Sequence, residues 1–197
     1  MKKVIFATSN EGKMKEIREI LKDLDIELLS LRDAGLDPDI DENGVTFEEN
    51  AIIKARQVME LTGEIVLADD SGLEVDYMDK APGVYSARFM GEETSYSIKN
   101  QYIIDQLVKA KEGERTARFV CVIACAIPGG DVITRRATIE GEIAHTISGS
   151  NGFGYDPIFY VPEYGCTTAE MASELKNEIS HRGKALKAMK AVIKEYL

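Results

Sequence analysis

Hydrophobic positions along this chain repeat with two periods. An apolar run, Val4-Ile5-Phe6-Ala7, breaks off at Thr8-Ser9-Asn10. Met14, Ile17, Ile20, Leu21 and Leu24 then recur at helical spacing, which predicts a strand over 4–7 and a helix near 11–22. A polar loop, LRDAGLDPDIDENG, follows. Thr46 to Glu49 has the form of a capping box and opens a helix carrying Ala51, Ala55, Val58 and Met59, which stops at Gly63. Glu64 to Ala68 reads as a strand ending in Asp69-Asp70-Ser71-Gly72, and residues 73–76 alternate like another. A helix is predicted over 95–111, then strands near 116–127 and 132–146 joined by a turn at Pro128-Gly129-Gly130-Asp131. Thr167 to Glu170 resembles a second capping box. Ser180 starts a last helix with Leu186, Met189, Val192, Ile193 and Tyr196 on its core face. Early strand–helix alternation with a hairpin in the middle predicts an α/β fold on a mixed sheet. With no repeat and no linker, residues 1–197 read as one unit.

Charge narrows the function. With 24 Lys and Arg against 34 Asp and Glu, the net charge is −10, which argues against a general nucleic-acid binder. A small phosphorylated ligand stays open, given a local cationic pocket and a divalent metal to overcome the background field. No apolar run approaches the ~18 residues of a membrane span. The apolar stretch behind Lys2 and Lys3 is too short for a signal peptide, so a cytoplasmic protein is expected. The three cysteines, Cys121, Cys125 and Cys166, have no metal-like spacing; Cys121 and Cys125 share one face of a strand and read as small buried hydrophobes. Two histidines make a His-rich zinc site an unlikely design.

Three stretches carry candidate chemistry. In ATSNEGKMKE a strand stops where a helix starts, leaving backbone N–H groups unpaired, with Thr8, Ser9, Asn10, Gly12 and Lys13 around them. Cations are disfavoured at a helix N-terminus. Either a phosphate resolves that conflict, or Ser9 or Asn10 is an ordinary cap with Lys13 and Lys15 paired to Glu16 and Glu19. In LADDSGLEV two carboxylates end an apolar strand. They suit Mg²⁺, with the acidic loop Asp37-Asp39-Asp41-Glu42 offering another ligand; alternatively Asp-Ser-Gly is only a turn. In SNGFGYDP, Phe153 is either a stacking platform for a base or a loop aromatic tucked into the core. Downstream, His181, Arg182 and Lys184 crowd another helix start.

Taken together, ATSNEGK, TFEENAIIKAR, LADDSGLEVD, APGVYSARF, GFGYDPIF and SHRGKAL, in this order over nearly the whole chain, resemble the inosine triphosphate pyrophosphatase (XTP/dITP diphosphatase) family. Ser9 stands where the family frequently has glycine. The resemblance implies a two-lobed α/β fold around a long mixed sheet flanked by helices, with the active site in the cleft between lobes, and a homodimer. It implies Mg²⁺-dependent hydrolysis of ITP, dITP and XTP to the monophosphate and pyrophosphate, clearing deaminated purines from the nucleotide pool. By resemblance Thr8, Ser9, Asn10, Glu11, Gly12 and Lys13 hold the triphosphate. Asp70 is the catalytic base and a metal ligand, Asp69 supports the metal, and Asp41 or Glu42 adds another ligand. Ser71 contacts substrate. Phe153, Gly154, Tyr155 and Asp156 line the base pocket, and Lys176, His181 and Arg182 address the purine edge.

The chemistry is consistent with this. A 6-keto purine satisfies a donor-lined pocket that adenine's amino group leaves unpaired. An ordinary aspartate, with a pKa near ~3.9, is a poor base toward bulk water, so Asp70 is expected to act on a metal-activated or tightly held water. Two other readings are a pyrophosphatase for other modified bases, such as methylated pyrimidines, and a nucleotide sensor that does not hydrolyse its ligand.

Overall fold

The computed structural model describes residues 1–197. β1 (Lys2–Phe6) is followed by α1 (Glu11–Leu21), β2 (Ile26–Ser30), α2 (Phe47–Thr62) and β3 (Ile65–Val75). Next come α3 (Tyr96–Gln106), β4 (Thr116–Ala126), β5 (Val132–Ile143), β6 (Phe159–Val161), β7 (Cys166–Thr167), α4 (Ser173–Ile179) and α5 (His181–Lys194). The strands form one mixed seven-stranded sheet in the order β2-β1-β3-β4-β5-β6-β7. β1 pairs in parallel with both β2 and β3, as strands joined by helical crossovers do. β6 is antiparallel to β5 and β7. The α/β expectation holds. No helix is long and apolar enough to cross a membrane.

Local signals account for the boundaries. Thr46 and Glu49 form a complete capping box at the start of α2, and Gly63 ends it in the left-handed conformation at φ 69°. α3 is shorter than the predicted 95–111. Its end is fixed by Arg115, whose Nη1 donates to the Leu107 carbonyl at 2.8 Å, a contact invisible to local sequence.

Three expectations are corrected. Asp69-Asp70-Ser71-Gly72 does not end a strand; it lies inside the 11-residue β3. Thr167 and Glu170 open no helix. The Thr167 hydroxyl donates to the Ser148 carbonyl, leaving only the Glu170 half of the box, and helix starts again at Ser173. Tyr196 lies beyond α5 and is exposed rather than part of its core face. β2, β6 and β7 carry no strong alternation and were not anticipated.

The chain divides into two compact units, each with its own core. Unit 1 comprises Met1–Asp70, Cys121–Ala137 and Arg182–Leu197. Its core packs Val4 and Phe6 with Met14 and Ile17 of α1, Cys121 and Cys125 of β4, and Leu186 and Met189 of α5. Unit 2 comprises Ser71–Val120 and Thr138–His181. There Leu73, Ile103, Phe119, Ile143 and Phe159 are the buried centre. All three cysteines are free thiols, and burial pushes Cys121 and Cys125 well above the ordinary thiol range.

Candidate active site

In unit 1 the loop between β1 and α1 is organised by its own side chains. Asn10 is the N-cap, its Oδ1 accepting from the Lys13 amide at 3.0 Å. Thr8 Oγ1 accepts from the Asn10 amide at 3.2 Å. Ser9, Asn10 and Glu11 are exposed, and Gly12 and Lys13 half-buried. The cation that opposes the helix dipole has a partner in the protein: Lys13 Nζ lies 3.0 Å from both Asp69 carboxylate oxygens. Arg182 adds a second cation, with Nη2 at 3.4 Å from Asp69 and Nη1 at 2.6 Å from Glu16. Burial alone would raise the Asp69 pKa. Lys13, Arg182 and Lys54 reverse that and hold the carboxyl well below the usual carboxylate range.

Asp70, the next residue on β3, meets different neighbours because successive strand side chains face opposite ways. Asn50 Nδ2 donates to Asp70 Oδ2 at 3.2 Å, and Lys54 Nζ lies 3.7 Å from Oδ1. The same ammonium is 2.8 Å from Glu42 Oε2. Asn50 Oδ1 accepts from the Gly44 amide at 2.8 Å, tying the acidic loop to Asp70 through one amide side chain. A side chain at Gly44 would overlap Asn50 and Glu49, its Cβ only 2.6 Å from Asn50 Oδ1. Desolvation dominates Asp70's titration. Lys54 and Asn50 lower the pKa, the Glu42 and Asp69 charges raise it, and it stands at about 6. Lys54 remains charged: burial would lower its pKa, but Asp69, Asp70 and Glu42 raise it.

Unit 2 holds the glycine-flanked aromatic. Asp156 is nearly fully buried and is the hub of its loop. Its Oδ2 accepts from the Phe153 amide at 2.9 Å and from Lys176 Nζ at 2.7 Å, and its Oδ1 accepts from Thr168 Oγ1 at 2.8 Å. Lys176 Nζ also sits 5.1 Å from the centre of the Phe153 ring, so a cation occupies one face of that aromatic. The His181 ring is buried and stacks on Phe119 at 4.7 Å. Gly152, at φ 74°, has no room for a side chain, since a Cβ would stand 2.2 Å from Asp156 Oδ2.

The residues singled out by sequence therefore fall into two sets. Thr8 to Lys13, Glu42, Asp69, Asp70 and Arg182 belong to unit 1. Ser71, Phe153 to Asp156, Lys176 and His181 belong to unit 2. Arg182 is held by Asp69 and Glu16. Of the two loop acids, Glu42 is the one joined to Lys54, while Asp41 is exposed and accepts from Asn43 Nδ2. Two residues central to the geometry, Asn50 and Lys54, were missed. They lie on the stripe of α2 that also buries Phe47, Ala51, Ala55 and Val58. Polar residues inside an apolar helix face were the available signal.

Fold and residues so far define a mixed-sheet α/β protein with two buried aspartates side by side on one strand, one neutralised by cations and one titrating near neutrality. The chain belongs to the Ham1 family, whose profile matches residues 4–192. It is 49% identical to the dITP/XTP pyrophosphatase of Clostridium perfringens, with both chains covered in full. It is 47% identical to the protein of that name from Bacillus licheniformis, over 98% of each. Among solved structures, the HAM1 protein of Coxiella burnetii superposes with a TM-score of 0.89 at 42% identity, covering 99% of this chain and 100% of that one. The Staphylococcus aureus Ham1 protein gives 0.87 at 38% identity with complete coverage of both.

Proposed function

We propose that this chain hydrolyses ITP, dITP and XTP to the nucleoside monophosphate and pyrophosphate, as a Mg²⁺-dependent cytoplasmic homodimer. The names of the full-length relatives support the substrate class. The observation that carries the chemistry is Asp70. A general base works best with a pKa near the operating pH, and burial brings this carboxyl to about 6. Asp70 takes a proton from water as the water oxygen attacks the α-phosphorus, and the bridging oxygen leaves with pyrophosphate. Lys54 lies beside this carboxylate, where it favours negative charge on a phosphate. The α1 N-terminus and Lys13 are suited to the other phosphates. In unit 2, Phe153 is suited to stack a purine, and Lys176 and His181 to supply donors to its 6-oxygen.

The residues fit a Mg²⁺ ion brought in with the nucleotide. No three acidic, His or Cys side chains converge into a cage, but Mg²⁺ ordinarily takes one or two carboxylates and fills its remaining positions with phosphates and water. Glu42 and Asp70, both within reach of Lys54, are such a pair. When bound, the ion neutralises phosphate charge and acidifies a ligated water.

The test is pyrophosphate release from ITP, XTP, GTP and ATP with and without Mg²⁺, beside Asp70→Asn. Mg²⁺-dependent release from ITP and XTP that the variant loses supports the reading. Equal rates on ATP remove the purine-edge argument, and binding of ITP without pyrophosphate release makes the chain a sensor.

A further inference from the structure

Residues 153–156 are held by a closed ring of three hydrogen bonds through Gly154 and Tyr155. Three pairs of adjacent residues form it: Ser86-Ala87, Lys99-Asn100 on α3, and Gly154-Tyr155. The Tyr155 hydroxyl donates to the Ser86 carbonyl at 2.6 Å. Lys99 Nζ donates to the Ala87 carbonyl at 2.8 Å, and Asn100 Nδ2 to the Gly154 carbonyl at 3.1 Å. Each pair thus touches the other two. Ser86 Oγ also accepts from the Leu73 amide at 2.9 Å, fixing the ring to β3.

Neither α3 side chain is explained by packing. Lys99 is 1% exposed, yet its ammonium meets only a carbonyl and, at 4.9 Å, the centre of the Tyr96 ring. Burial pushes its pKa down, with the Glu92 charge opposing. Asn100 is 2% exposed and uses half its amide: Oδ1 is buried with no partner. A buried amine without a carboxylate, beside a buried unpaired acceptor, is an expensive way to fill space. Both residues make sense as donors aimed at two particular carbonyls. Gly154 takes the left-handed φ of 66° beside the Tyr96 ring, with which a Cβ would make ordinary contact at 3.7 Å. Tyr96 in turn meets Tyr155 edge-on at 5.2 Å. The Gly154 peptide, directly after Phe153, is thus held by Asn100 through its carbonyl and lies beside the Tyr96–Tyr155 pair.

We propose that Lys99 and Asn100 are positioning residues for purine recognition, acting on Phe153 and Asp156 through the ring and touching no nucleotide themselves. This rests on residues 153–156 being the purine site.

Two readouts test it in Lys99→Met and Asn100→Leu, which keep side-chain volume. The first is hydrogen exchange in the intact protein. The one hydrogen bond of Lys99 is on the 86–87 side, so the ring requires Lys99→Met to speed exchange in 150–158 by about tenfold, and the double variant to go no further than the stronger single. Acceleration confined to 83–91, or multiplying in the double, means separate contacts and overturns the proposal. The second is steady-state turnover. KM for ITP should rise about tenfold with kcat within about twofold; an unchanged KM in folded variants also overturns it. Tyr155→Phe, which removes the ring's hydroxyl donor and keeps the aromatic ring, repeats both measurements should the α3 variants fold poorly. If the wild-type chain turns over no purine triphosphate, the purine reading falls, while exchange still judges the ring.

Discussion

Glu42 and Asp70 share one ammonium: Lys54 Nζ lies 2.8 Å from the first carboxylate and 3.7 Å from the second. The ammonium opposes the burial that raises the Asp70 pKa, and so helps set where the base titrates. Removing the cation as Lys54→Met leaves only the Asn50 hydrogen bond to oppose burial and the Glu42 and Asp69 charges, so the Asp70 pKa moves further up. The acid limb of kcat/KM is expected to shift to higher pH, with activity at pH 6.5 falling about tenfold. A pH–rate profile checks this; an unmoved limb means Lys54 does not tune the base.

Asp70 also trades stability for reactivity. Its folded pKa of about 6 lies above the unfolded value, which is ~3.9. Folding therefore takes up protons between these values, and stability declines as pH rises through the window and stays lower above it. Asp70→Asn should lose about 10²- to 10⁴-fold in kcat. It should also gain up to about 3 kcal/mol of stability at pH 8, an advantage that vanishes near pH 4. Thermal melts at the two pH values measure the gain.

Asp69 behaves oppositely. Held below the usual range by Lys13, Arg182 and Lys54, it contributes stability that is present above its unfolded pKa and is lost as pH falls toward its folded one. Arg182→Met takes one buried partner from Asp69 and from Glu16. The expected loss at pH 7 is about 3 kcal/mol, and urea unfolding should show the gap to wild type narrowing at pH 3.

Gly152 and Gly129 share a φ of 74° but differ in their surroundings. An alanine at 152 meets Asp156 Oδ2 and Lys176 Nζ, whereas at 129 it meets open space. Both substitutions carry the left-handed penalty of about 1 kcal/mol. Only Gly152→Ala should displace the Lys176–Asp156 pair, raising the ITP KM about tenfold. Equal KM values for the two variants would separate that pair from purine binding.

What the sequence revealed followed from how local each cause is. The Thr46–Glu49 box, the Gly63 stop and the α1 stripe depend on residues a turn apart, and all are present in the structure. Asp69 to Gly72 reads as the end of a strand because Asp-Ser-Gly suits a turn equally well. What distinguishes the settings is distant in sequence: β3 lies between β1 and β4 in the sheet, and its two carboxylates meet Lys13 and Arg182 on one side, Lys54 and Asn50 on the other. Thr167 was misread for the same reason, since Ser148 claims its hydroxyl. Lys54 looked like any solvated helical lysine until its i−3 and i+4 neighbours, Ala51 and Val58, are seen to be buried with it. The pairing of Glu42 rather than Asp41 with Lys54 depends on the path of an irregular loop, which no periodicity encodes.

α4 ends at Ile179 and α5 begins at His181, with Ser180 the single residue between them. The boundary of the two units then falls on the next peptide bond: His181 stacks on Phe119, while Arg182 reaches Asp69 and Glu16. Side chains one position apart on a helix point about 100° away from each other, and here each direction is already committed. One inserted or deleted residue would turn α5 by that same angle and strip either the imidazole or the guanidinium of its partners. Alignments of its relatives should therefore be free of gaps from Ser180 to Arg182, even where the flanking helices vary.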